Sequence, residues 1–158
     1  MKGWLLVLAL LVAPPLHAAT YVARVTQVVD GDTLWVRPVH GGAPVEIRLL
    51  DLDAPESCQL WGPQAHDALR SRVRNENVTV HSRAIDDYGR QLARIEWRGQ
   101  DVGRWMVRHG YAWSMTFRGR AGPYAALEAQ ARRERKGLWS EPAALEPRTF
   151  RQQHGRCR

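Results

Sequence analysis

Lysine stands at positions 2 and 136 and nowhere else, so the positive charge of this chain is almost entirely arginine. The six histidines are scattered and none has a ligand-like spacing, which argues against zinc. No glycine-rich phosphate loop and no nucleophile elbow occurs, so nucleotide-triphosphate chemistry and serine-hydrolase chemistry lack their usual carriers. There is no internal repeat and no sign of a second domain. No stretch after the N-terminus is apolar enough to span a bilayer. Only two cysteines are present, Cys58 and Cys157.

The N-terminus is a different matter. Lys2 precedes a short apolar run from Trp4 to Ala13, Pro14-Pro15 breaks it, and Leu16-His17-Ala18-Ala19 offers small residues for cleavage. Residues 1–19 therefore read as a secretory signal peptide, too short to persist as a membrane helix. The mature chain, from residue 20 on, is expected to be exported, to a periplasm or to the medium. Export permits a disulfide, and we expect Cys58 and Cys157 to pair, for a gain of about 4 kcal/mol if the geometry is unstrained. Two unpaired thiols, with Cys157 in a frayed tail, is the alternative.

The formal charge is +7. Residues 20–100 hold 10 arginines against 11 acids, whereas residues 101–158 hold 12 basic residues against 5 acids. Carboxylates thus sit early and excess positive charge late, a layout that suits a polyanion and metal-assisted chemistry. An arginine-rich composition serving solubility produces the same totals.

Tyr21 to Val29 reads as a strand, interrupted by Asp30-Gly31-Asp32-Thr33 and resumed at Leu34 to Arg37. Asp30-Gly31 is a hairpin turn signal, but a turn has no need of Asp32. After the exposed turn His40 to Pro44, Val45, Ile47 and Leu49 alternate with Glu46 and Arg48 as a third strand. Gly62-Pro63 opens a helix with Ala65, Ala68, Leu69 and Val73 at helical spacing, ending near Asn75. Val78 and Val80 mark a fourth strand, and Arg90 to Trp97 a fifth. Asp101 caps a second helix, stopped by Gly110, and Pro123 starts a third, closed by Gly137. After Trp139 the chain is rich in Pro, Glu and Arg, which predicts a loosely ordered tail over residues 141–158. Five strands with a helix between the third and fourth predict an α+β, mainly β chain. Its order is that of an OB-fold barrel with three helices over residues 20–140.

Arg48-Leu49-Leu50-Asp51-Leu52-Asp53-Ala54-Pro55-Glu56 is the stretch to which the rest leads. Pro55 has no N–H and pushes Ala54 into an extended conformation. The strand ladder ends there, and the Ala54 carbonyl becomes available to a ligand. Asp51, Asp53 and Glu56 follow Arg48 within a few residues. Charges of both signs beside a free backbone oxygen suit a metal-and-phosphate site. Solvated acids with one ion pair would account for the same stretch.

Four motifs in order resemble the staphylococcal nuclease (thermonuclease) family. They are Asp30-Gly31-Asp32-Thr33; Arg48 to Glu56; Asp87-Tyr88-Gly89-Arg90; and Gly137-Leu138-Trp139. The resemblance runs from about Tyr21 to Trp139. It implies an OB-fold, Ca²⁺-dependent phosphodiesterase that cuts DNA and RNA, leaving 3′-phosphates. Asp32, Asp53 and the Ala54 carbonyl would hold Ca²⁺, Glu56 would act as general base, and Arg48 and Arg90 would grip the scissile phosphate. Tyr88 would line the nucleotide site. Asp30 and Asp51 would lie just outside the ligand set, with a solvated acid favoured for Asp51.

Some residues depart from the family pattern. The span from Glu56 to Arg90 is shorter than in the type member, Met115-Thr116-Phe117-Arg118 stands where that member has tyrosines, and Asp87 replaces a basic residue. Arg118 and Arg120 are candidates for holding the polyanion electrostatically. The expected protein is an exported monomeric endonuclease with a DNA or RNA substrate and no membrane span in the mature chain. The alternatives are an exported nucleic-acid-binding OB module without catalysis, and an adaptor for a protein partner.

Overall fold

A computed structural model describes residues 19–155 and 157. The expected signal peptide, residues 1–19, lies outside them but for Ala19. The first three strands, β1 (Thr20–Val28), β2 (Thr33–Pro38) and β3 (Val45–Leu49), form an antiparallel meander. In β1 the inward residues are Ala23, Val25 and Val28. The step of three between the last two is accommodated by an irregularity in the β1–β2 register between Val25 and Gln27. After β4 (Leu52–Asp53) the chain enters α1 (Gly62–Val73), whose Ala65, Leu69 and Val73 are buried at helical spacing.

Strands β5 (Asn77–Ile85) and β6 (Gln91–Trp97) pair antiparallel with each other, and β5 also pairs with β1. Strand β6 then runs parallel to β3, with Ile47 opposite Gln91 and Leu49 opposite Ala93. That last pairing closes five strands into a barrel, which leaves them without a free edge. Val25, Leu34, Val36, Ile47, Leu49, Val78, Val80 and Ile95 form its core.

The remaining elements are small: β7 (Gln100–Asp101), α2 (Val102–Arg108), β8 (Trp113–Ser114), α3 (Ala125–Arg133), a 3₁₀ turn at Gly137–Ser140, and α4 (Pro147–His154). Asp101 caps α2, its carboxylate accepting from the Arg104 N–H at 2.9 Å. Gly110 ends that helix region at φ +75°, where a Cβ would strike the Lys136 backbone. Trp113 and Trp139 meet edge to face at 4.9 Å in a second small core with Ala131 and Leu138. Among the described residues no helix is long and apolar enough to cross a membrane.

The mainly β barrel agrees with the sequence reading, and two features differ from it. Strands β4, β7 and β8 have two residues each, too few to show alternation in a sequence. There are four helices among the described residues rather than three, because the tail is not loose throughout. Pro147 sits in the first turn of α4, and Cys157 just past it is disulfide-bonded to Cys58 with a Cα–Cα distance of 5.6 Å. The Gln59 side-chain amide also donates to the Leu145 carbonyl at 2.6 Å. Two ties thus hold the tail against the loop that follows Glu56.

Candidate active site

Barrel pairing brings the charged residues together. Thr33 lies opposite Arg48 in the β2–β3 register, so Asp32 is one residue from Arg48's cross-strand partner. The Leu49 N–H donates to the Asp32 carbonyl at 2.8 Å and fixes this approach. Gly31 packs so closely that a Cβ there would lie 2.6 Å from the Ala54 Cβ and 2.8 Å from that of Ala65.

Arg48 and Asp53 are five residues apart, an odd spacing that would put them on opposite faces of a straight strand. Asp51, at φ +69°, breaks the strand between them. The kink turns Asp53 back towards Arg48, and the Arg48 Nη2 donates to Asp53 Oδ1 at 2.8 Å. Arg48 Nη1 forms an ion pair with Asp32 Oδ2. Asp51 itself points elsewhere, accepting from Arg94 Nη2 at 2.6 Å. Arg90, just before β6, is delivered by the parallel β3–β6 closure, since Leu92 lies opposite Arg48.

Asp32 is 5% exposed. Its Oδ2 accepts from the Ala54 N–H at 2.7 Å and its Oδ1 from the Thr33 hydroxyl at 3.1 Å. Burial pushes its carboxyl up to about 6; Arg48 pulls the other way, and neighbouring Asp30 adds to the rise. Asp30 also accepts from the Asp32 N–H at 3.0 Å. Burial alone would lower Arg48, but Asp32 and Asp53 outweigh it and raise its pKa.

Glu56 sits in the loop after β4. Its N–H donates to Gln59 Oε1 at 3.1 Å, and its carbonyl accepts from the Gln59 N–H at 2.8 Å. Gly62 passes directly over that carbonyl, where a Cβ would clash. Arg90 Nε donates to Asp86 Oδ2 at 2.9 Å, and its guanidinium lies 5.3 Å from the centre of the exposed Tyr88 ring. Burial is the largest single influence on the Asp86 carboxyl and raises it, but the bonds from Arg90 and from the Tyr88 N–H together outweigh burial and lower it.

One cavity of about 200 Å³ is lined by Asp32, Arg48, Asp53, Ala54, Pro55, Glu56, Arg90 and Arg151. The structure therefore joins Asp32, Arg48, Asp53, Ala54, Glu56 and Arg90 in one place and leaves Tyr88 off its lining. Arg151, on α4, is the lining residue that sequence reasoning missed. Its Nη1 donates to Glu56 Oε1 at 2.7 Å and its Nη2 to Asp53 Oδ2 at 3.0 Å. The signal was the expected Cys58–Cys157 bond, which would carry the residues before Cys157 towards Glu56. A second pocket of about 580 Å³ shares Arg48 and Arg90 with the first and is walled by Leu49, Leu92, Met115, Phe117 and Pro123.

The donor set matches a hard divalent cation in type, with two carboxylates and a backbone carbonyl at neighbouring positions. Among the described residues no three His, Cys, Asp or Glu side chains are arranged as a ready cluster, and Arg48 and Arg151 stand on these carboxylates. Even so, Asp32 keeps a raised pKa, so one guanidinium does not fully offset its burial.

A model of the family described as staphylococcal nuclease homologue matches residues 46–141. "Protein ParB" of Escherichia coli is 37% identical over 158 residues, covering 92% of this chain and 88% of that protein. "Micrococcal nuclease" of Shigella flexneri is 33% identical over 144 residues, covering 84% and 82%. A protein of Escherichia coli O157:H7 named "uncharacterized endonuclease" is 35% identical over 138 residues, covering 87% and 89%.

Proposed function

The chain belongs to the staphylococcal nuclease family, and from that premise we propose that it is an exported, Ca²⁺-dependent endonuclease that hydrolyses DNA, RNA or both. One observation carries the reading: Asp32, the Arg48–Glu56 stretch with Arg48, Asp53 and Glu56, and Arg90 come from three separate parts of the chain and line one small cavity. Asp32, Asp53 and the Ala54 carbonyl would hold Ca²⁺, which when bound supplies positive charge to the phosphate and its attacking oxygen.

The protein's own groups account for the rest. Glu56 takes a proton from a water molecule on one side of the phosphorus. The new P–O bond forms as the bond to the 5′-oxygen opposite breaks, and that oxygen is protonated from water. A 3′-phosphate and a 5′-hydroxyl remain. Negative charge grows on the non-bridging oxygens meanwhile. Arg48, held from β3, and Arg90, held by Asp86, offer forked donors to it from two sides.

The test uses the mature protein with circular single-stranded DNA in Ca²⁺, in Mg²⁺ and in chelator. Linear products in Ca²⁺ that vanish in chelator are expected, and a circle can be opened only by internal cutting. Salt-sensitive binding that ignores chelator, with no new ends, would instead identify a non-catalytic binding module.

A further inference from the structure

Arg151 lies beyond residue 141, where the family match ends, yet it lines the same cavity as Arg48 and Arg90. Resting on the nuclease reading, we propose that Arg151 is a third phosphate-binding residue of the active site, delivered by the disulfide-tied tail. Three carboxylates and three guanidiniums line the cavity. Arg48 is engaged by Asp32 and Asp53, and Arg90 by Asp86. Arg151 is shared between Asp53 and Glu56. A divalent cation held by Asp32 and Asp53 would take over the neutralising of Asp53. The cavity would then carry net positive charge, and the Arg151 fork beside Glu56 would have donors to offer. A phosphodiester oxygen is the anion this geometry accepts.

A blocking role fits the shape less well. The Arg151 side chain is 29% exposed, and about 200 Å³ of cavity stays open between it, Arg48 and Arg90. It stands at the rim of the space rather than filling it. Its placement is also rigid. Helix α4 is anchored near its start by Gln59 to Leu145 and past its end by Cys58 to Cys157, and both anchors lie on the loop that carries Glu56.

The probe is a nucleoside 3′,5′-bisphosphate, which presents phosphates with no internucleotide bond to cut. Calorimetric binding in Ca²⁺ is expected to weaken about tenfold or more in Arg151→Gln, the loss of one charge-assisted contact, with partial recovery in Arg151→Lys. In chelator, where Arg151 remains on Asp53 and Glu56, the two variants should match the unaltered protein. With single-stranded DNA the KM should rise more than kcat falls. Cys58→Ser/Cys157→Ser, which frees the tail, should move binding in the same direction and add little to Arg151→Gln. Nucleotide binding by Arg151→Gln that is equal or tighter overturns the proposal, and so does faster cleavage at limiting Ca²⁺, which would mark Arg151 as an internal blocker. Arg151-dependent nucleotide binding in a protein that opens no circles would sink the nuclease reading while upholding Arg151 as an anion-binding residue.

Discussion

Asp32 shows at the residue scale how burial and charge are set against each other in the cavity. Its carboxyl titrates near 6 rather than at the ordinary 3.8, chiefly because it is buried. A raised carboxyl pKa means the folded protein holds a proton that the unfolded chain has already released between those two values. This group's contribution to stability therefore declines as pH rises from about 4 to about 6. The same proton competes with a cation. Calorimetric titration should find Ca²⁺ bound about tenfold more weakly at pH 5 than at pH 7, since Asp32 must first be deprotonated. Glu56 and Arg90 make a different prediction. On the proposed mechanism Glu56→Gln would remove the proton acceptor and Arg90→Ala one of the phosphate-gripping forks, and each should lower turnover by roughly 10²- to 10⁴-fold. Thermal unfolding should stay near that of the unaltered protein, because both side chains sit at the cavity rim and not in the barrel core.

Between elements, what matters is how closely the loops approach one another. Gly31 has no room for a methyl group, with Ala54 on one side and Ala65 of α1 on the other. Gly31→Ala should therefore push the Asp32 turn away from Ala54 and cost about 1–3 kcal/mol, measured by denaturant unfolding. It should also weaken Ca²⁺ binding, because the Asp32–Ala54 contact is lost with it. The disulfide acts over a longer range. Cys58→Ser/Cys157→Ser opens a link spanning 99 residues, and a loss of about 4–5 kcal/mol is expected on the loop-entropy model. The elements also divide by how far the sequence announced them. The alternation of Val45, Ile47 and Leu49, the Gly62-Pro63 start of α1 and the Asp101 cap are local signals, and each appears in the fold. The kink at Asp51 that turns Asp53 towards Arg48, the pairing of β4 with β8, and the docking of α4 are not local. They are set by contacts between distant residues, which periodicity cannot register. The motif residues could be placed along the chain, but that Arg151 bonds Asp53 and Glu56 could be learned only from three dimensions.

Charge is arranged across the whole molecule so that the cavity opens beside basic surface. Not all of the surplus in residues 101–158 is available to a ligand. Arg132 lies 3.6 Å from the centre of the Trp139 ring and pairs with Glu128, and Lys136 pairs with Glu134. Arg118 and Arg120 are different. They sit on an exposed tight turn, closed by reciprocal bonds between Phe117 and Arg120 of 3.0 and 2.9 Å. Arg120 lines the larger pocket that shares Arg48 and Arg90 with the catalytic cavity. A strand leaving the cavity past Arg90 would run over this turn, with apolar Met115 and Phe117 beneath it. Each phosphate contact on a single strand contributes about 0.7 to the slope of log affinity against log salt. Arg118→Ala/Arg120→Ala should thus flatten that slope by about 1.4 at most if both arginines touch phosphate. Affinity should fall most at low salt, and kcat should hold, since neither arginine lines the catalytic cavity. Measuring binding across a salt series in chelator, where no cleavage is expected, separates this track from the chemistry. An unchanged slope would move the strand to another face of the barrel.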